Sequence, residues 1–458
     1  MAIKYSKSLW LQRLAIADKY YTAWKNRFKC DTLDRYYEGF QWADKIGTTA
    51  AGYEPYTLNL INSTIHIKLA SLLFQKPSFN LSPTPGTVTW NMDAAMIATE
   101  LKQNVLNTLI ANPNMNFAKH LKRAAKDSFF RFGIIECGYS SDWRNPQKEA
   151  PYLRSDTDPT ITETRDRVID DNDVPVNERF YIRRIKPQRF RVSISDSEDL
   201  QDHEWFGYYE YFYTRALINT KGINWTDPDL GSLSQFSADF TGFVGTSPEI
   251  DINPELANEL RRCEITKCWR LWDQVTHTEL LVRHSDGAVL WQTSYDKAHL
   301  IDIRWDERAD GFYPIPPVFQ WLSPQNEINE AREQTRNFRR RFTRKFQYVE
   351  DTVDVDEVEK FASGPDGILI KVKVQNAISP IENPQQGPTA ENALLLAKDD
   401  FNIVSGTSAE ARGQADRETA TQAKITDIRA QIRENAEQID FSNFVCLVGR
   451  DLLVLSQE

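Results

Sequence analysis

Between Pro324 and Leu455 the chain alternates long runs free of helix breakers with short broken ones, and this alternation limits the fold more than any other feature. Gln325 to Gln347 contains neither proline nor glycine, Pro324 stands where a first helical turn tolerates it, and Ser323 is available as a cap. A helix is predicted here. At about 1.5 Å per residue it spans roughly 35 Å, long for a globular helix and suited to a strut. Tyr348 to Pro384 reads as a small insert: a strand, a short helix over Asp356 to Ala362, a turn at Gly364-Pro365-Asp366-Gly367, and a strand from Ile368 to Val374. It is too small to bury much of a core alone, so it is expected to lean on copies of itself. A second helix follows from about Thr389 to Val404, with Leu394, Leu395, Ala397, Phe401 and Val404 as apolar contacts. Ser405 to Arg417 is small, polar and punctuated by glycine, and a mobile loop is expected. Glu418 to Leu455 has no proline and one glycine, Gly449. Its Ile425, Ile428, Ile432 and Ile439 recur at helical spacings, as the apolar seam of a long packed helix.

The charges of the first helix are sorted along it. Glu327, Glu330 and Glu333 occupy the half where the helix dipole favours anions; Arg336, Arg339, Arg340, Arg341, Arg344 and Lys345 occupy the other. Arg332, Arg336, Arg340 and Arg344 recur every four residues and form one drifting stripe. The insert supplies opposite charge at Glu350, Asp351, Asp354, Asp356, Glu357 and Glu359. The stripe either faces a lumen or pairs with acids of a neighbouring copy, and the acidic insert favours pairing.

This order of elements resembles the core of a tailed-bacteriophage portal protein, a ring subunit through which DNA enters and leaves the capsid. SPQNEINEAREQTRNFRRRFTRK stands where the family has its first stem helix, and NIVSGTSAEARGQADRETATQAK where its tunnel loop enters the long helix. YPIPPVFQWLSP is similar to the family's proline-rich approach to the stem, and Gly413 with Thr419-Ala420-Thr421 to its glycine-to-T-A-T pattern. Weaker similarity reaches back to about Tyr56. NLINSTIHIKLASLLFQKPSF resembles an early wing helix with its lysine-proline turn, and the helix running into a strand at Phe132-Gly133 is similar too.

The resemblance implies an α+β, portal-like fold: a wing body over residues 1–321, a first stem helix over 322–347, a clip over 348–384, a second stem helix over 385–404, a tunnel loop over 405–417 and a long wing helix over 418–458. Only Ser456, Gln457 and Glu458 follow Leu455, so either the helical crown of many portals is minimal or the chain is a trimmed portion of a longer one. The implied function is that of a passive conduit in a virion, assembled in the host bacterial cytoplasm, for packaging and ejecting double-stranded DNA. The implied partners are copies of the chain in a dodecameric ring, the terminase large subunit, head-completion and tail adaptor proteins, and the major capsid and scaffold proteins. Asp354, Asp356 and Glu357 are the expected docking residues of the clip, and Arg412, Gln414 and Arg417 the expected loop residues beside DNA.

Composition is compatible with this. With 458 residues and 41% hydrophobic residues, the chain is long enough for two or three domains and a sizeable core. Its net charge of −10 argues against gripping nucleic acid over the whole surface, but not against letting DNA slide. The twelve Trp and seventeen Tyr suit either subunit interfaces or plain core. Five scattered cysteines, Cys30, Cys137, Cys263, Cys268 and Cys446, read as free thiols of a reducing compartment, and no apolar run approaches the ~20 residues of a membrane span.

Upstream, Met1 to Phe40 is a basic-aromatic helical start, read as packed on the body rather than on nucleic acid. Helices are predicted over Leu58 to Leu72, Met92 to Ile110 and Phe117 to Phe130, with His66 a core histidine. Strands follow in Arg131 to Tyr139, Arg179 to Tyr213 and Ile265 to Gln292, with Asn145 to Glu178 and Asn219 to Glu255 as surface excursions.

The marks of an enzyme are missing. There is no phosphate-cradling G-x-x-x-x-G-K-[ST], no H-E-x-x-H and no G-x-S-x-G. His277-Thr278-Glu279 opens a zinc-deaminase pattern that nothing downstream completes, and Cys263 and Cys268 are wrongly spaced for a zinc pair. Asp399-Asp400 points two ways on a helix. No cofactor or metal is expected. Another head-tail connector ring is the nearest rival reading, and a metal-dependent nucleic-acid-processing enzyme the rival from a different class.

Overall fold

Trp10, Leu14, Ala17, Tyr21, Trp24 and Phe28 follow one another at spacings of four and three, and all are buried. That periodicity makes a helix with one continuous apolar stripe, here α1 (Lys7–Arg27). Its first half packs with Trp205, Trp269, Leu271, Leu280 and Val282. Its second half enters an aromatic cluster with Phe132, Phe190, Phe312 and Tyr313. There Tyr313 stacks on Trp24 at 5.1 Å, and the Trp24 indole N–H donates to the Pro314 carbonyl at 2.8 Å. The basic-aromatic start is thus core. Lys29, with φ of +49°, separates α1 from α2 (Cys30–Glu38), a break the spacing alone did not mark.

The computed structural model describes residues 7–42, 55–73, 76–83, 92–144, 174–219, 223–225, 265–342, 346–363, 369–380, 388–407 and 420–456. After α2 come α3 (Leu60–Leu72), α4 (Met92–Ala111) and α5 (Phe117–Phe130). The strands of the body are β1 (Gly133–Arg144), β2 (Val174–Ile185), β3 (Phe190–Val192), β4 (Trp205–Tyr213), β5 (Ile265–Asp273), β6 (Thr278–Arg283), β7 (Val289–Ser294) and β8 (Leu300–Ile303), with α6 (Thr214–Asn219) after β4. Next come α7 (Pro317–Phe342), β9 (Phe346–Tyr348), α8 (Val355–Ser363), β10 (Ile378–Pro380), α9 (Pro388–Ser405) and α10 (Ala420–Leu455). The strands form antiparallel sheets in the orders β2-β1-β8, β3-β4-β5-β6-β7 and β10-β9, so the class is α+β.

The chain divides into two units. One comprises Met1–Glu38, Ile61–Gln320 and Ser405–Glu458; the other comprises Gly39–Leu60 and Trp321–Val404. In the first unit, Glu136 of β1 is buried and joins the sheets. Its carboxylate accepts from the Arg183 Nε at 2.6 Å, the Tyr208 hydroxyl at 2.8 Å and Arg270. Arg183 reaches on to Glu210 and Arg270 to Glu279, so two arginines share three carboxylates. A buried charge persists only when paired in this way. The turn into β1 needs Gly133, because a Cβ there would stand 2.3 Å from the Ala124 carbonyl oxygen.

Among the described side chains of the long helix α10, those from Glu437 onward hold it to this body. Phe441, Phe444, Val445, Val448 and Leu452 are buried, and Gly449 leaves room for the Phe79 ring, which a Cβ would meet at 2.4 Å. Ile439, expected in the seam, is exposed, since the stripe that packs is set four and three residues apart from Phe441 onward. Asp451, fully buried, accepts from Lys297 Nζ at 2.9 Å and lies 3.0 Å from His299 Nδ1.

Two further expectations are corrected. His66 is exposed, with its Nε2 3.4 Å from the Tyr37 hydroxyl, because α3 buries Ile61, Thr64, Ile65, Lys68 and Leu69 instead. Helix α7 begins at Pro317, with Pro324 inside it. Val318, Trp321, Gln325 and Ile328 are all buried at helical spacing, and that packing outweighs the hydrogen bond Pro324 cannot donate. The predicted far end gives way too: Phe346, Gln347 and Tyr348 pair as a strand with Pro380, Ser379 and Ile378.

Candidate assembly and docking site

The second unit is organised on α7. Three polar residues four apart, Gln325, Asn329 and Glu333, are buried and hold an extended segment alongside the helix. The backbone N–H groups of Tyr56, Leu58 and Leu60 donate to Glu333 Oε2 at 2.9 Å, Asn329 Oδ1 at 3.1 Å and Gln325 Oε1 at 3.1 Å. The match is metric. Two extended residues advance about 6.7 Å and four helical residues about 6 Å, so every second amide meets every fourth side chain. The first unit repeats the device, where Asn107 and Gln103 of α4 accept the Phe79 and Leu81 amides at 2.9 Å each.

This arrangement claims half of the predicted basic stripe. The Arg332 guanidinium lies 5.4 Å from the Tyr56 ring centroid, and Arg336 is 3.6 Å from Glu333 of the same helix. Arg340 follows on α7, and Arg344 falls outside the described residues. The sequence showed the arginines but not the segment they cover.

The insert forms around α8. Asp354 precedes it, and the Asp354 carbonyl accepts the first helical amides, from Glu357 at 3.0 Å and Val358 at 3.1 Å. Of the predicted docking acids, Asp354 pairs with Lys373 at 2.8 Å, and this hydrogen bond holds its carboxyl below the usual range. Glu357 Oε2 accepts the Lys371 N–H at 3.0 Å, which likewise lowers that carboxyl. Asp356 is exposed and forms no ion pair among the described residues. The three acids are therefore unequal, because two of them secure Leu369–Val374 to the helix. That stretch, predicted as a strand, donates to Glu357 and to the Thr352 carbonyl instead of joining a ladder.

No residue of α8 is buried. Phe346, Tyr348, Val349, Val355, Leu369, Val372 and Val374 all stand exposed, Val355 at 80% and Leu369 at 90%. Beyond the insert, α9 buries Ala397 and Phe401, the latter against Trp321 of α7, while Leu395, Leu396 and Ile403 stay exposed. Asp399 and Asp400 are exposed on the same helix. Arg412, Gln414 and Arg417 lie outside the described residues, as does Cys263.

Among the described residues, no group of three His, Cys, Asp or Glu side chains is arranged to hold a metal ion, and no helix is long and apolar enough to cross a membrane. His277, with φ of +49°, occupies a turn, and Glu279 is committed to Arg270. Cys30 and Cys268 are buried, which pushes both thiols up to about 12; Cys137 is buried and pushed well up; Cys446 is exposed. No protein-family model matches the chain, and no curated protein matches it.

Proposed function

We propose that this chain is the ring subunit of a phage portal, with copies surrounding a channel for double-stranded DNA at one capsid vertex and no catalytic role of its own. The observation that carries this reading is the insert between α7 and α9, which has an ordered fold yet leaves seven large apolar residues exposed. Isolated exposed apolar residues are ordinary, but a concentration on one small element marks an interaction surface. Neighbouring copies in a closed ring would cover it on both sides. The resemblance of YPIPPVFQWLSP and of the Gly413 and Thr419-Ala420-Thr421 pattern to portal sequences supports the same reading. Its partners on this reading are the terminase motor during packaging, head-completion and tail proteins afterwards, and the surrounding capsid and scaffold proteins. Of the three acids Asp354, Asp356 and Glu357, Asp356 is best placed to meet a partner, being exposed and unpaired among the described residues.

The test is the native mass of the purified chain together with negative-stain images. About twelve times 52.9 kDa, with a central hole, is expected. A stable monomer under every assembly condition would count against a portal.

A further inference from the structure

Helix α5 carries Lys119, Lys122 and Arg123 within a little over one turn, all exposed on one side. None of the three forms an ion pair among the described residues, in a chain whose net charge is −10. The cations around them are already engaged. Lys68 pairs with Glu437, Arg184 with Asp127, and Lys126 lies 4.0 Å from the Tyr37 ring centroid. His120 adds no acid; burial, then Arg123, Lys119 and Arg184, lowers its affinity for a proton, and its Nδ1 accepts the Arg184 N–H at 3.2 Å.

These three cations rim a groove of about 600 Å³ between α3 and α5, whose floor is Ala70, Leu73 and Ala118 over the buried Leu69. We infer that this groove docks an acidic amphipathic helix of a partner protein, its apolar face on the floor and its carboxylates against Lys119, Lys122 and Arg123. Charge complementarity selects the sign of the partner. The floor selects its class, because Ala70, Leu73 and Ala118 give a phosphate backbone nothing to bind, whereas they suit the apolar face of a helix in a groove. The spacing of the rim, three and four residues, matches carboxylates set one turn apart on the incoming helix. The inference is independent of the portal reading.

The experiment uses the full-length chain and a fluorescein-labelled peptide of about 18 residues, five helical turns, with leucine on one face and glutamate on the other. Anisotropy titrations compare it with a scrambled peptide of the same composition, with a version carrying lysine for glutamate, and with a short DNA duplex. Binding of the acidic amphipathic peptide at least about tenfold tighter than either control peptide is expected, weakening with salt. Lys119→Glu/Lys122→Glu/Arg123→Glu, all at exposed positions, should lower its affinity about tenfold or more, and Ala70→Glu should lower it independently. No binding at millimolar peptide, equal binding by the triple variant, or displacement of the peptide by duplex DNA would each overturn the inference. So would a triple variant that loses self-association while peptide binding is never detected, since the groove would then belong to a second copy.

Discussion

The Asn329 side-chain carbonyl accepts the Leu58 N–H at 3.1 Å across 271 residues of sequence, while its amide donates to Gln41. Asn329 is only 2% exposed, so both groups depend on it for hydrogen bonds that water cannot replace. Asn329→Leu should cost about 2–3 kcal/mol by leaving a buried amide unpaired. Asn329→Asp should cost more than Leu, because it keeps the acceptor for Leu58 but buries a carboxylate against the Gln41 oxygen. Urea unfolding of the two variants, compared at their midpoints, checks the order.

Asp451 gives the body a pH dependence at the acid end. Burial pushes its carboxyl up, but the hydrogen bonds from His299 and Lys297 outweigh that and hold it below the usual aspartate value. A folded value below the unfolded one means that the stabilisation is complete above about pH 4 and is lost as pH falls through the folded value. Asp451→Asn should therefore destabilise the chain by about 1.5–3 kcal/mol at pH 7. The gap from the natural chain should narrow below about pH 4, measured by unfolding across a pH series.

Glu136 makes the opposite kind of demand, since it neutralises two arginines at once. Glu136→Gln should lower stability by about 1.5–3 kcal/mol, the cost of weakening charged hydrogen bonds, since Arg183 keeps Glu210 and Arg270 keeps Glu279. Replacing Arg270 by Met in the same chain should recover part of that loss. A double-mutant cycle on unfolding free energies would show whether the coupling exists.

Thiol reactivity should divide the described cysteines sharply. Cys446 is exposed, whereas Cys30 and Cys268 are buried with thiols pushed up to about 12. Iodoacetamide labelling of the native chain near neutral pH, read by peptide mass spectrometry, should modify Cys446 and spare Cys30, Cys137 and Cys268 until denaturant is added.

Charge reversal on the insert should separate docking from folding. Asp356→Lys changes an exposed, unpaired acid and is expected to leave the circular dichroism of the chain unchanged while impairing ring assembly or partner capture. Asp354→Lys sets two lysines side by side, because Lys373 is its partner, and should also loosen Leu369–Val374. Equal partner capture by Asp356→Lys and the natural chain would remove the docking assignment.

Most element identities are legible in local sequence. The spacing in Trp10 to Phe28, the run from Phe117 to Phe130, the three strands from Ile265 to Ser294 and the breaker-free run to Leu455 each carry a local period that admits one regular structure. The order of helix, insert, helix and long helix is legible there too. Tertiary structure decided what local periods cannot encode. Pro324 became interior to α7 because Val318, Trp321 and Ile328 had a surface to pack on. Glu136, an unremarkable acid in a strand, became the junction of two sheets only when Arg183 and Arg270 were brought to it. The buried row Gln325, Asn329 and Glu333 reads as the polar face of a helix until Tyr56, Leu58 and Leu60 present their amides. A buried polar group is tolerated only with its partner, and that partner lies hundreds of residues away, where no pattern in a single stretch of sequence can find it.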